Sequence, residues 1–207
     1  MTVEDLNVEQ ISDLLLRGAD RPLADPFPEG YFSEPAKPAA VLLPLFRDRG
    51  EWHLLFIRRS HNDDDRHSGQ VAFPGGRIDP SDADEIHAAL RESQEEIGLK
   101  ARNIRVLGQL SSYRTVSNYQ VTPVVAEIEW PLELVPDPAE VSRIFSIPLR
   151  WLAEPLNRRV NQRHLHGFGV SMPVHYFERY DDELLWGVTA KITVGFLKLL
   201  GLLPEGR

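Results

Sequence analysis

The sequence predicts an α/β fold: a mixed β-sheet between helical layers, forming an α/β/α sandwich with a helical extension at the N-terminus. Three observations carry this expectation. The segments Ala39 to Phe46 and Glu51 to Arg58 flank the turn Arg47-Asp48-Arg49-Gly50 and read as a hairpin. Two segments, one ending at Gly98 and one spanning Trp186 to Leu203, carry apolar residues at helical spacing. Strand-like runs follow the first of these helices, so hairpins and helices are expected to share one core.

The elements follow in order. Val8 to Arg17 is a short amphipathic helix closed by Gly18, and residues 21–38 are rich in proline and read as a surface linker. Residues 1–35 are therefore expected to form an extension, and residues 36–207 the main domain. Ala39 to Phe46 is apolar throughout, as a buried strand is. The polar stretch Ser60 to Ser68 breaks the pattern and leads into a short strand within Gly69 to Pro74. After the first long helix, Ile104 to Tyr113 and Tyr119 to Trp130 read as strands separated by a turn at Arg114 to Asn118. Pro131 to Glu140 is an acidic, proline-rich loop. Val141 to Ile147 is a strand, Leu149 to Glu154 a helical turn, and Val160 to Tyr180 a hairpin turning near Gly167.

Composition narrows the function classes. The chain has 207 residues, 42% of them hydrophobic and 26% charged, as in ordinary globular proteins. Its net charge of −8 disfavours nucleic acid as a partner, because phosphate backbones demand a basic surface. With no cysteine, thiolate metal sites, disulfides and a cysteine nucleophile are excluded. No apolar run reaches the ~20 residues of a membrane span. The acidic start MTVEDLNVEQ does not read as a signal peptide, and a cytoplasmic location is expected. A homodimer is compatible with all of this.

The candidate chemistry lies in Gly75 to Leu99, GGRIDPSDADEIHAALRESQEEIGL. Pro80 restricts the entry, and Ser81 or Asp82 is expected to cap the helix, with Asp84 or Glu85 as its capping-box partner. Ile86, Leu90 and Ile97, with Ala89 and Ser93, make the expected buried stripe. Gly98 suits a left-handed C-terminal stop. Glu92, Glu95 and Glu96 stand at i, i+3 and i+4 and share a helix face. Arg91 and Glu95, at i and i+4, can pair. Like charges at this spacing cost roughly 0.2–0.5 kcal/mol per pair, and the helix dipole disfavours anions at this end. A solvated acidic face is the ordinary explanation of such a cluster. A divalent cation held by oxygen ligands would remove the penalty, and Mg²⁺ or Mn²⁺ suits such ligands.

The stretch resembles the Nudix box, GX5EX7REUXEEXGU, with U a bulky aliphatic. Gly76 falls on its glycine, and Arg91, Glu92, Glu95, Glu96, Gly98 and Leu99 on its second half. Asp82 stands where the first Glu is expected, eight residues rather than seven precede Arg91, and Ser93 replaces the first aliphatic. The resemblance covers roughly residues 36–203. It implies a Nudix fold and hydrolysis of a nucleoside diphosphate linked to another group. It also implies Glu92, Glu95 and Glu96 as ligands of Mg²⁺ or Mn²⁺, with the carbonyl of Gly76 completing the shell and Arg91 orienting the acids. The general base comes from the box or from a later loop, where Glu140 is the candidate.

A second signature lies upstream. Nudix hydrolases acting on coenzyme A carry roughly LLTXRSX3RX3GXVXFPGG before the box. Leu54 to Ser60 and Gly69 to Gly76 match its two ends, with Phe56 in place of Thr and a middle one residue longer. Asp79, Asp82, the longer box and Leu185-Trp186-Gly187-Val188-Thr189-Ala190 also resemble this subfamily. The implied substrate is coenzyme A. Arg58, Arg59, Arg66, His67 and Arg77 are the candidate groups for its phosphates, since arginine pairs with phosphate bidentately. ADP-ribose or another nucleoside diphosphate derivative is the alternative within the same chemistry, and a non-catalytic nucleotide-binding module is the alternative outside it.

Overall fold

Strands β1 (Lys37–Asp48) and β2 (Glu51–Arg59) form the expected hairpin, and together they lie at the centre of the sheet. This computed structural model describes residues 3–18, 27–61, 67–165 and 168–203. Strand β7 (Tyr119–Ile128) runs parallel to β1 along the other flank, and β5 (Ile104–Gln109) closes that edge antiparallel. Beyond β2 come β3 (Val71–Ala72) and β8 (Val141–Pro148), while β4 (Gly75–Arg77) pairs with the start of β1 and β6 (Tyr113–Arg114) with the start of β7. The sheet has eight strands of mixed direction. Strands β9 (Arg158–Leu165) and β10 (Val170–Phe177) form a separate antiparallel pair. Their expected turn at Gly167 lies outside the described residues.

Helix α2 (Glu85–Ile97) covers one face of the sheet. Its Ala88, Ala89 and Ile97 pack on Ala40, Leu42, Val124 and Ala126. The small alanines let the helix lie close to the strands. Ile86 and Leu90, expected at the centre of the stripe, are only half-buried beside them. The other face is covered by α1 (Val8–Gly18), α3 (Leu149–Ala153) and α4 (Gly187–Leu199), which share one apolar cluster with Leu43, Leu45, Leu54 and Val125. The result is the expected α/β/α sandwich.

Three local expectations change. Ser81 and Asp82 do not cap α2. Asp84 does, accepting a hydrogen bond from His87 N at 2.8 Å, because the Asp82 side chain is committed elsewhere. The single strand expected over Ile104 to Tyr113 is split into β5 and β6. Its register shifts between Val106 and Gly108, where Leu15 of α1 packs so closely that a Cβ on Gly108 would stand 2.9 Å from it. Gly75 to Arg77, where the sequence predicts no element, adds a strand to β1. Among the described residues, no helix is long and apolar enough to cross a membrane.

Candidate active site

Gly75 and Gly76 lie across the start of β1, where Val41 and Ala40 are their partners. A Cβ on Gly75 would stand 2.3 Å from the Ala40 carbonyl oxygen, so the strand admits only glycine. A Cβ on Gly76 would stand 2.5 Å from the carboxyl carbon of Glu92. The glycine strand therefore forms a cradle against which the Glu92 carboxylate is pressed. One helical turn on, Glu96 is 1% exposed and accepts a hydrogen bond from Gly75 N at 2.8 Å. Arg59 Nη1 lies 3.9 Å from its other oxygen.

The electrostatics follow from this burial. Loss of solvent pushes the Glu96 carboxyl up to about 8, against the stabilising Gly75 N–H and Arg59, with Glu140 and Glu92 adding repulsion. Burial also raises Glu92, which Arg91 offsets in part while Glu95 and Glu140 oppose it. Glu140 is exposed, but the loop carrying it is fastened to the site. Asp137 N donates to Glu96 O at 2.9 Å, Ser60 N to Glu140 O at 2.8 Å, and Ser60 Oγ to Pro138 O at 2.9 Å. The structure thus sets Glu92 against Gly76 and Glu96 against Gly75, with Glu140 near enough to repel both carboxylates.

The remaining sequence candidates are distributed differently. Glu95 turns outward and is held by Arg91 Nη1 at 3.0 Å. Arg91 is the hub of the helix. It also donates to Glu92 at 3.0 Å and to the Arg77 carbonyl at 3.1 Å, and it grips Asp82 through Nε at 3.0 Å and Nη2 at 2.9 Å. Asp82, whose side chain is fully covered, also accepts from Asp79 N and lies 2.9 Å from His87 Nδ1. The two-pronged Arg91 contact holds its carboxyl well below the ordinary carboxylate range and raises Arg91 in turn. The sequence pattern left Asp82 without a defined role.

Arg58 points away from the glycines, with Nη1 3.3 Å from the buried Glu183 carboxylate and Nε donating to Ser142 Oγ at 3.0 Å. Glu183 also binds Arg143 at 2.9 Å. His67 is exposed, with Nδ1 3.1 Å from Gln70 Oε1. Arg77 lays its guanidinium 5.7 Å from the Tyr119 ring centroid, on the sheet face opposite α2. Arg66 lies outside the described residues.

The donor set suits a hard divalent cation: carboxylate oxygens of raised proton affinity beside glycine backbone that lets them approach closely. Among the described residues, no three acidic or imidazole groups already converge at coordinating distance. The Glu92 and Glu96 carboxylates are instead turned to Arg91 and to Gly75 N. A separate hollow of about 530 Å³, lined by Arg47, Arg105, Glu127 and Trp130, lies at the far end of the sheet and contains none of these residues.

A family match assigns the chemistry of this site, hydrolysis of diphosphate linkages. The NUDIX domain model matches residues 36–166, and the chain belongs to that family. "Uncharacterized Nudix hydrolase NudL" of Yersinia pestis (strain Pestoides F) is 39% identical over 163 residues, spanning 78% of this chain and 79% of its own. The protein of the same name in Yersinia pseudotuberculosis serotype O:3 (strain YPIII) matches at the same identity and extent. Among solved structures, a MutT/nudix family protein from Enterococcus faecalis aligns with a TM-score of 0.49 at 16% identity, over 84% of this chain and 70% of its own. A C. elegans Ap4A hydrolase binary complex aligns at 0.46 and 21%, over 55% and 80%. Neither structural likeness is close enough to bear on substrate.

Proposed function

We propose that the chain hydrolyses the pyrophosphate bond of coenzyme A, giving 3′,5′-ADP and 4′-phosphopantetheine, with Mg²⁺ or Mn²⁺ as cofactor. The observation that carries this reading is the joining of the two-ended upstream signature to the box. Arg59, from the first half of the signature, stands 3.9 Å from Glu96, and Gly75, from the second half, donates to the same carboxylate. Glu92, Glu96 and the Gly76 carbonyl would hold the cation, with Glu95 and Glu140 beside them. Bound there, the cation supplies charge neutralisation of the anhydride and a water of lowered pKa. Arg91 fixes Glu92, and Arg59 offsets negative charge next to Glu96. Glu140, exposed at the rim on a fastened loop, accepts the proton of the attacking water. The water oxygen bonds to phosphorus, the bridging P–O bond breaks, and both products leave as phosphate monoesters.

Incubation with coenzyme A, ADP-ribose and NADH in Mg²⁺ or Mn²⁺, read by mass spectrometry of the products, tests the reading. 3′,5′-ADP and 4′-phosphopantetheine are expected from coenzyme A, with no turnover in excess EDTA. Glu96→Gln should cut turnover at least ~10²-fold while the protein stays folded. Much higher kcat/KM on ADP-ribose would overturn the coenzyme A reading, and full activity in EDTA would overturn the metal.

A further inference from the structure

Arg58, expected at the substrate, is turned away from the glycines, and the contacts that hold it reach the loop carrying Glu140. On β2, Leu54 and Phe56 face the α4 side of the sheet, and Arg58 continues that alternation. Directly opposite Arg58 on β8 stands a second arginine, Arg143. Like charges opposite one another weaken an antiparallel pair. Glu183 resolves this conflict. Its carboxylate oxygen Oε1 lies 3.3 Å from Arg58 Nη1 and 2.9 Å from Arg143 Nη1, and its side chain is 5% exposed. The turn that presents it is unusual. Asp181 and Asp182 both take positive φ, 50° and 64°, and Tyr180 and Glu183 bond each other's backbone across them. Arg143 Nη1 also donates to the Asp181 carbonyl at 3.0 Å.

The arginine pair borders a break in the strand register. Arg58 pairs with Arg143, but Arg59 pairs with Val141, so Ser142 is an extra residue in β8. A bulge leaves its extra residue outside the ladder, and here side chains replace the ladder bonds. Arg58 Nε donates to Ser142 Oγ at 3.0 Å. Ser142 Oγ in turn lies 3.1 Å from the Arg58 carbonyl oxygen and 3.3 Å from that of Arg59. Glu140 precedes the bulge by two residues. Its carbonyl accepts from Ser60 N at 2.8 Å, and Val141 N closes the loop on Asp137 O at 2.7 Å. The line of contacts therefore runs from Glu183 through Arg58 and Ser142 to the loop whose carboxylate repels Glu92 and Glu96.

We propose that Glu183 is a positioning residue for the hydrolysis: through Arg58 and the Ser142 bulge it sets where Glu140 stands relative to the attacking water. The inference rests on the reading of Glu140 as proton acceptor and deepens it. Glu183 acts from a distance, since the arginine it holds lies on the sheet face opposite α2. Without its charge, Arg58 and Arg143 repel each other beside the bulge, and the guanidinium that holds Ser142 is released. A group displaced by ~1 Å from its reacting partner can lose on the order of 10²-fold in rate.

Steady-state kinetics of the full-length protein in Mg²⁺ test this, on coenzyme A or on whichever diphosphate of the panel wild type cleaves. Glu183→Gln, Ser142→Ala, Ser142→Thr and Glu140→Gln are compared with wild type. Glu183→Gln and Ser142→Ala are also made in the Glu140→Gln background. Melting temperatures check folding, and Ser142, being exposed, carries the test if Glu183→Gln does not fold. Glu183→Gln and Ser142→Ala should each lower kcat about 10-fold with KM changed less than about 2-fold. Ser142→Thr, which keeps the hydroxyl, should retain wild-type kcat. In the Glu140→Gln background the same two changes should lower kcat less than about 2-fold, because residues acting as a unit are not additive. A purely structural role predicts the same fold-loss in both backgrounds, and that result would overturn the inference. Wild-type kcat in folded Ser142→Ala would overturn it too. If Glu140→Gln alone keeps wild-type kcat, the assignment of Glu140 fails and the positioning role with it. Non-additivity seen on a diphosphate other than coenzyme A supports the positioning role and overturns only the coenzyme A reading.

Discussion

The two ends of the box helix treat negative charge in opposite ways. At the N-terminal end, Asp79, Asp82 and Asp84 each have a hydrogen-bonding role. Asp79 accepts from Ser81, Asp84 caps α2, and Asp82 is gripped by Arg91. Hydrogen bonds from Ser81 lower Asp79, and the Arg91 contact lowers Asp82 far more. At the C-terminal end, Glu92 and Glu96 are raised, chiefly by burial. The first cluster is architecture. The second binds protons more tightly than ordinary carboxylates do, and that raised affinity is what the cation proposed above would relieve.

The comparison makes its largest prediction in the pH dependence of stability. In EDTA, Glu96 keeps its proton in the fold up to about 8 but loses it near 4.5 when unfolded. Between those values the folded state binds more protons, so stability falls as pH rises, at up to ~1.4 kcal/mol per pH unit. Denaturant unfolding of wild type minus Glu96→Gln isolates this slope, and Mg²⁺ or Mn²⁺ should flatten it. A flat difference across pH 5–8 would remove the raised affinity on which the contrast rests.

The opposite end sharpens it. Asp82→Asn should destabilise the fold by ~2 kcal/mol, since it leaves Arg91 without its two-pronged partner. Because Asp82 is depressed, its contribution is present above its ordinary value of 3.8 and is lost as pH falls below it, the reverse of Glu96. Equal unfolding midpoints for Asp82→Asn and wild type at pH 7 would show that this end is not architectural. The smallest effect is expected at Glu95. Its exposed pair with Arg91 predicts a loss under ~1 kcal/mol for Glu95→Gln in EDTA, read from the same unfolding curves.

Much of this was legible in sequence because it is local. Glycines 75, 76 and 98, the i, i+4 relation of Glu92 and Glu96, and the hairpin at Arg47 to Gly50 are set by residues within one turn of each other. What was not legible depends on distant partners. The helix starts at Asp84 because Asp82 is drawn to Arg91. Arg58, expected at the substrate, is held by Glu183, 125 positions away. The opposite fates of Glu95 and Glu96 depend on which side of α2 the sheet covers, and spacing along the helix does not reveal that. The break between β5 and β6 reflects α1 packing across Gly108, a contact between segments whose individual periodicities are ordinary.

That last contact bears on how far the core extends. The stretch that matches the family model, residues 36–166, does not contain the whole of the apolar cluster that packs on its sheet. Leu6, Ile11 and Leu15 precede it, Ile192, Phe196 and Leu197 follow it, and all six belong to the same apolar cluster as its strands. Excised at its family borders, the segment would expose that cluster along one whole side of the sheet. The core of this fold is therefore wider than the span of the family model.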